Sequence, residues 1–214
     1  MSDITYDARL HGLFLRCMNA VYTHSGDSAD YAIERWGTRL YLFFQWSDGL
    51  RDWQNNLDFP SRAYESHGKS WRVHRGFLRV WKSVRGEIEA AVSKSVSNFE
   101  TTGIFCVGYS HGAAIAGLAT EDMEFLFGAH VPVCGFGFGC PRFIWGSLPR
   151  EVKDRFSRFN VIRNIPDIVT HLPPYLLGYR HGGPLVKIGK KGKYSPIAAH
   201  YPEAYLEETK PPTG

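Results

Sequence analysis

The amino-acid sequence predicts an α/β protein with a mostly parallel central sheet that is flanked by helices. Short apolar runs of strand length alternate along the chain with longer segments whose apolar residues recur at helical spacing. Such alternation is typical of strand–helix–strand units, and these build largely parallel sheets. No internal repeat, low-complexity stretch or linker divides the 214 residues, so we expect a single domain over residues 1–214.

Composition and charge are those of a folded globular protein, with 43% hydrophobic and 21% charged residues. The net charge of +4 is too small to predict a nucleic-acid partner without a basic stripe. No apolar run is long enough to span a bilayer, and the N-terminus lacks the features of a signal peptide. The default expectation is therefore a cytoplasmic protein, with secretion by a non-standard route as the alternative, and the oligomeric state is left open. The cysteines form no C-x-x-C pair and are predicted to be reduced thiols, at Cys17, Cys106, Cys134 and Cys140.

The N-terminal half is predicted to begin with a helix, because apolar residues recur at helical spacing over residues 7–22. Two strands follow over residues 31–37 and 40–46, and the second is apolar enough to be buried on both faces. Residues 58–70 are polar and are predicted to form a loop. The helical spacing returns over residues 77–92.

The C-terminal half continues the alternation of strands and helices. Residues 103–108 form a short apolar run that ends in glycine, and small residues follow it. Residues 131–138 are predicted to form the next strand, residues 148–156 a helix, and residues 158–162 a further strand. A last short helix is expected to begin near Pro202, because proline suits the first turn of a helix.

The strongest chemical signal is Gly108-Tyr109-Ser110-His111-Gly112, which lies between a predicted strand and a predicted helix. It matches the G-x-S-x-G pattern, in which a serine occupies a strained turn and the flanking glycines avoid collisions with neighbouring backbone. The following helix directs its N-terminal amides at the place where negative charge would develop. The pattern therefore indicates a nucleophilic serine. The alternative is a glycine-rich turn whose serine only caps the helix.

A nucleophilic serine requires a base and an acid that orients the base. Asp167 directly follows a predicted strand, which places it at the sheet edge where α/β proteins assemble their sites. His200 comes after this acid in the chain order Ser, Asp, His, whereas His171 is too close to Asp167 in the chain to be favoured. Taken alone, Asp167 would be read as part of a turn and His200 as a surface residue.

Six ordered blocks make the sequence similar to the class 3 (fungal-type, Rhizomucor-like) lipase family of α/β-hydrolases, over nearly its whole length. The G-x-S-x-G motif, which is called a nucleophile elbow, is one of these blocks. The other blocks are Phe44-Gln45-Trp46-Ser47, Asp52-Trp53 with Asn56-Leu57, Val73-His74-Arg75-Gly76-Phe77, Phe138-Gly139-Cys140-Pro141-Arg142, and Asp167-Ile168-Val169-Thr170-His171-Leu172-Pro173-Pro174. His200, with Tyr205 a few residues later, fits the family's last histidine.

The resemblance implies an α/β-hydrolase fold and a role for each residue of a catalytic triad. Ser110 would be the nucleophile, His200 the general base and acid, and Asp167 the residue that orients His200. The oxyanion hole would combine Ser47 with the backbone amide of His111. Gln45-Trp46 replaces the family's usual Arg-Gly before Ser47, so the oxyanion loop is the part that departs most from the pattern. No metal or organic cofactor is expected.

The expected function is hydrolysis of carboxylic esters, with acylglycerols or related lipids as substrates and only transient contact with a lipid interface. One alternative is a phospholipase A1, which the basic loop with Lys187, Lys190, Lys191 and Lys193 would suit. Another alternative is a small-ester esterase. A third alternative, from a different class of protein, is a non-catalytic lipid-binding module with the same fold.

Overall fold

The computed structural model describes residues 3–25, 29–45, 60–98 and 100–211, and it confirms an α/β architecture with a mostly parallel central sheet. The helices are α1 Asp3–Asn19, α2 Arg75–Ser97, α3 His111–Phe127, α4 Arg150–Phe156 and α5 Pro202–Glu208. The strands are β1 Thr23–Ser25, β2 Ala29–Trp36, β3 Arg39–Gln45, β4 Ser61–Ser66, β5 Lys69–His74, β6 Gly103–Tyr109, β7 Val133–Phe138, β8 Ile144–Trp145, β9 Phe159–Asn164, β10 Tyr179–Arg180 and β11 Leu185–Ile188. Single 3-10 turns occupy Val169–His171, Tyr175–Leu177 and Ala198–His200.

The central sheet has seven strands in the order β1-β2-β3-β6-β7-β9-β11. The first three strands pair antiparallel, and every pair from β3 to β11 is parallel. The carboxyl ends of the parallel strands therefore meet at one edge of the sheet, which is where sites form in this architecture. Three of the chain segments that leave this edge carry Ser110, Asp167 and His200.

The sheet is buried on both faces, as the apolar run of β3 predicts. Successive side chains of a strand point to opposite faces, so Phe44 enters the core beneath α2 and α3 while Phe43 enters the core beneath α1. Trp81 of α2 is fully buried on the first side, and Phe14 of α1 is fully buried on the second. Each face is therefore covered by helices, which fixes the sheet between two layers.

A second, four-stranded antiparallel sheet has the order β10-β8-β5-β4, and it corrects the loop that the sequence predicted over residues 58–70. Residues 61–66 of that range form β4, which pairs with β5 through a two-residue turn. His67 and Gly68 both have positive φ, at 52° and 72°, as a type I′ hairpin turn requires. Only Tyr64 and Ser66 of β4 are buried, so the strand is too polar to be recognised from apolar content.

Helix α3 packs closely on the sheet because glycines in β7 leave room for it. A Cβ atom on Gly137 would lie 2.4 Å from the ring of Phe159 and 3.2 Å from Cβ of Ala113. One on Gly135 would lie 2.1 Å from the hydroxyl oxygen of Thr120. Since α3 begins beside Ser110, the glycines of β7 help to set the position of the serine relative to the sheet.

We expect Gly137→Ala to lower the free energy of unfolding by roughly 1–3 kcal/mol, because the fully buried ring of Phe159 would have to shift within a packed core. The matched control is Gly86→Ala in α2, where a Cβ atom would meet nothing within 4 Å. That change should raise the free energy of unfolding by about 0.5–1 kcal/mol, because glycine is unfavourable inside a helix. Urea unfolding of both variants checks the pair, and a Gly137→Ala protein as stable as the parent would contradict the packing argument.

Candidate active site

Ser110 lies in a sharp turn between β6 and α3, where the sequence motif predicted it. Its φ of 55° and ψ of −121° are values that a residue with a side chain rarely adopts. A hydrogen bond from the Ser110 amide to the carbonyl oxygen of Phe138, 2.9 Å long, holds this turn against the end of β7. The strained conformation is therefore maintained by the surrounding sheet, and the serine side chain is only half-buried.

The two glycines of the motif are required because backbone approaches them closely. A Cβ atom on Gly108 would lie 2.2 Å from the carbonyl oxygen of Gly112. One on Gly112 would lie 2.1 Å from the carbonyl oxygen of Phe44, at the end of β3. Both contacts are with backbone, which has no freedom to rotate away. The G-x-S-x-G spacing thus follows from the steric demands of placing a helix directly after a central strand.

Ser110, His200 and Asp167 form one hydrogen-bonded relay. The Ser110 Oγ lies 3.0 Å from His200 Nε2, and His200 Nδ1 lies 2.8 Å from Asp167 Oδ2. A carboxylate only accepts hydrogen bonds, so Nδ1 carries the proton and donates it to Asp167. In a neutral imidazole Nε2 is then the acceptor, and the serine hydroxyl donates to it. The partners thus fix the tautomer in which His200 is able to take a proton from Ser110.

Asp167 is fully buried, and its carboxylate is satisfied by three donors. Besides His200, the hydroxyl of Tyr205 donates to Oδ2 at 2.7 Å and the amide of Val169 donates to Oδ1 at 2.8 Å. Burial, together with the negative charge of the Asp167 carboxylate, raises the pKa of Tyr205 well above its ordinary value, so this hydroxyl remains a donor. The acid is therefore held in a fixed position with its charge compensated by hydrogen bonds.

The turn that carries His200 is fixed from several sides. Asn164, at the end of β9, donates from its side-chain amide to the carbonyl oxygen of Ala199 at 3.0 Å. The ring of Tyr109 stacks on the imidazole of His200 with centroids 5.3 Å apart, and its hydroxyl donates to the His200 carbonyl oxygen. Gly139 has a φ of 60°, and a Cβ atom there would lie 2.9 Å from Cε1 of His200. No role for Tyr109, Asn164 or Gly139 was predicted from the sequence, although Gly139 belongs to the F-G-x-P-R block.

His171, the rejected candidate for the base, lies apart from the serine. Its Nε2 contacts a guanidinium nitrogen of Arg163, and its carbonyl oxygen accepts from Arg142 at 2.6 Å. The neighbouring His181 donates from Nε2 to the carbonyl oxygen of Thr170 at 3.0 Å. The hydroxyl of Thr170 in turn donates to the carbonyl oxygen of Asp167. His171 thus belongs to the loop that supports Asp167, and His181 holds that loop from the segment after β10.

Of the two oxyanion candidates, only His111 lies within the described part of the chain, and Ser47 falls outside it. His111 is the first residue of α3, so its backbone N–H projects from the N-terminal end of the helix beside Ser110. Burial and the nearby His74 and His200 lower the pKa of its imidazole to about 3. The ring next to the nucleophile is therefore neutral at physiological pH.

The described residues hold no cluster of three or more His, Cys, Asp or Glu side chains that is arranged to bind a metal ion. In the same part of the chain, no helix has the length and apolar character needed to cross a membrane.

Comparisons with known proteins connect this geometry to one family. A family model described as Lipase (class 3) matches residues 41–177, a range that includes the elbow and Asp167. The secreted mono- and diacylglycerol lipase 1 of Fusarium solani is 29% identical over 185 residues, which cover 79% of this chain and 52% of that protein. Phospholipase A1-II 5 of Oryza sativa subsp. japonica is 27% identical over 168 residues, 69% of this chain and 36% of that protein. The chain thus spans about half, or less, of the length of these curated relatives.

Among solved structures, the triacylglyceride lipase of Rhizomucor miehei matches with a TM-score of 0.70 and 20% sequence identity, over 88% of this chain and 80% of that chain. This likeness shows that the fold is the α/β-hydrolase fold. The cytoplasmic default is wrong, because matching lipases of Fusarium solani, Malassezia restricta and Penicillium cyclopium are named as secreted. The expectation rested only on the lack of a bilayer-spanning run and of signal-peptide features, and neither of these absences indicates a compartment.

The histidine that contacts the loop after Asp167 makes the stability of the protein depend on pH. Burial, reinforced by Arg142 and Arg163, lowers the pKa of His181 from 6.5 to about 4. The folded protein keeps this ring neutral, whereas the unfolded chain binds a proton below pH 6.5. The neutral ring therefore makes its full contribution to the free energy of unfolding above pH 6.5. This contribution, up to about 3 kcal/mol, is lost as the pH falls towards 4.

We expect His181→Gln, which keeps a donor for the Thr170 carbonyl oxygen, to lose less stability than the parent between pH 7 and pH 4.5. Urea unfolding at both pH values gives the comparison. His130→Gln is the matched control, because His130 is exposed, and it should follow the parent. Parallel losses in the parent and in His181→Gln would show that His181 does not carry this pH dependence.

Proposed function

The chain belongs to the class 3 lipase family, and from that premise we propose that it hydrolyses carboxylic esters with Ser110 as the nucleophile. The single observation that carries the proposal is the relay in which 3.0 Å separates Ser110 Oγ from His200 Nε2 and 2.8 Å separates His200 Nδ1 from Asp167 Oδ2. This arrangement joins a nucleophile, a base and an orienting acid at hydrogen-bond distance, as nucleophilic catalysis requires. We also propose that residues 1–214 form one catalytic domain.

The proposed reaction proceeds in two steps through an acyl-enzyme. As Ser110 Oγ attacks the ester carbonyl, its proton passes to His200 Nε2, and Asp167 stabilises the imidazolium that forms. His200 then gives this proton to the leaving alkoxide, so the alcohol departs and the acyl group stays on Ser110. Water attacks the acyl-enzyme while His200 takes its proton, and the return of that proton to Ser110 releases the carboxylic acid.

The tetrahedral intermediate of each step carries an oxyanion that needs hydrogen-bond donors. We propose the backbone amide of His111 as one donor, because it lies at the N-terminus of α3, directly after the nucleophile. Ser47 is proposed as the second donor from its place in the sequence block that ends β3. The imidazole of His111 is neutral at physiological pH, so it adds no positive charge beside Ser110 and the proposed donor is the backbone amide.

We propose acylglycerols or related lipid esters as the substrates. The match to a mono- and diacylglycerol lipase supports this class, and the match to a plant phospholipase A1 supports a phospholipid ester as the second candidate. A small-ester esterase would use the same relay on substrates that have no long acyl chain. Rates on p-nitrophenyl esters of increasing chain length, beside triglyceride and phospholipid emulsions, would separate these three activities.

We expect Ser110→Ala to reduce ester hydrolysis by several orders of magnitude, because removal of a triad member leaves only the contributions of binding and of the oxyanion hole. The half-exposed hydroxyl leaves no large cavity, so the variant should unfold at nearly the same urea concentration as the parent. Turnover close to that of the parent by folded Ser110→Ala would refute the proposed nucleophile. A folded parent that cleaves no ester in the substrate panel would refute the proposed activity and favour the alternative of a non-catalytic lipid-binding module.

A further inference from the structure

A surface near the candidate active site combines exposed apolar side chains with unpaired arginines, and we refer to it as the docking patch. It consists of Trp145, Tyr175, Leu176 and Leu177 together with Arg72, Arg142 and Arg180. Leu176 is 96% exposed, a large fraction for a leucine, and Tyr175 and Leu177 are each more than half exposed. Contiguous exposed apolar surface of this kind indicates a binding partner.

The backbone beneath these side chains is held firmly, so their exposure is a built feature of the fold. The Tyr175–Leu177 turn closes with a hydrogen bond from the Gly178 amide to the Tyr175 carbonyl oxygen, 2.9 Å long. The indole N–H of Trp145 donates to the Leu177 carbonyl oxygen at 3.0 Å. Directly after the turn, β10 pairs with β8 through Tyr179 and Trp145. The turn therefore presents Leu176 outward on a rigid support.

The arginines of the docking patch lie over its aromatic rings. The guanidinium of Arg180 lies 4.7 Å from the ring centroid of Tyr175, and that of Arg72 lies 5.1 Å from the ring centroid of Trp145. Arg142 lies 6.0 Å from the same tyrosine ring. Within the described ranges, these arginines hydrogen-bond only to carbonyl oxygens and to the Ser61 hydroxyl, and none forms an ion pair with a carboxylate. Their positive charge is thus left for an external anion.

The docking patch is connected to the nucleophile through a short series of packed rings. Tyr179 follows the exposed turn, and its ring lies 6.0 Å from the ring of His74. His74 lies 4.6 Å from Phe77, and Phe77 lies 5.5 Å from His111, the neighbour of Ser110. A continuous series of ring contacts therefore links the support of the docking patch to the residue next to Ser110.

We propose that the docking patch binds a lipid surface that carries anionic head groups, with Leu176 inserted among the acyl chains and the arginines at head-group level. This inference rests on the proposed hydrolysis of lipid esters. Leucine and aromatic side chains flanked by cations are the combination that interfacial binding uses, and each arginine near an anionic surface adds to the attraction. A symmetric contact between two copies would set these arginines against each other, which disfavours self-association.

The test is binding of the Ser110→Ala protein, which leaves the lipid intact, to phosphatidylcholine vesicles with and without phosphatidylglycerol. Leu176→Ser should lower the partition coefficient about tenfold on anionic vesicles, since an inserted leucine is lost. Arg180→Gln should lower it about fivefold on anionic vesicles only, and added salt should reduce that difference. The matched controls are Val21→Ser, at an apolar site that is 87% exposed, and Lys191→Gln in the other basic loop. Both should bind as the parent does.

Unchanged binding in Leu176→Ser and Arg180→Gln, or equal losses in the controls, would overturn the proposal. A parent dimer that Leu176→Ser dissociates in sedimentation would also overturn it, by assigning the docking patch to self-association. Hydrolysis of p-nitrophenyl butyrate in solution, measured with Ser110 present, should be the same for the parent, Leu176→Ser and Arg180→Gln. A parent that binds anionic vesicles through the patch but cleaves no ester would refute the proposed function and leave the docking surface standing.

Discussion

The buried carboxylate of Asp167 imposes the constraint on which the arrangement of the site depends. A charge removed from water is costly unless donors surround it, and here the donors come from separate parts of the chain. Val169 lies just after β9, His200 lies in the turn after β11, and Tyr205 lies on α5. To satisfy one carboxylate, the C-terminal segments must converge on the end of β9. The same convergence brings His200 to Ser110.

A second constraint is steric and acts at the opposite end of the relay. Ser110 adopts an unfavourable backbone conformation in a tight turn between strand and helix. The backbone approaches so closely there that only glycine fits at Gly108 and Gly112. Gly139 meets a similar demand beside His200, where its missing side chain lets His200 and Asp167 approach the end of β7. Local sequence, strand packing and side-chain geometry thus agree at each of these positions, and such agreement is what allows a sequence to specify a single fold.

The sequence predicted the features whose physical signal is local. The elbow was visible because its glycines are a steric requirement, and Asp167 was visible because it follows a strand. His200 was predicted from chain order and from the family resemblance, since nothing near it in the sequence shows that it meets a carboxylate 2.8 Å away. The polar strand β4 was missed because few of its side chains are buried. The role of Asn164 depends on contacts between distant segments, which composition and periodicity do not encode.

Covalent labelling with a fluorophosphonate probe, followed by intact mass measurement and peptide mapping, tests most directly whether Ser110 is an activated nucleophile. We expect one adduct per folded chain, on the peptide that contains Ser110. We expect no adduct when the protein is unfolded in urea before the probe is added, because the relay then no longer exists. A folded protein that takes up no probe, or takes it up at another serine, would show that Ser110 is not the activated nucleophile.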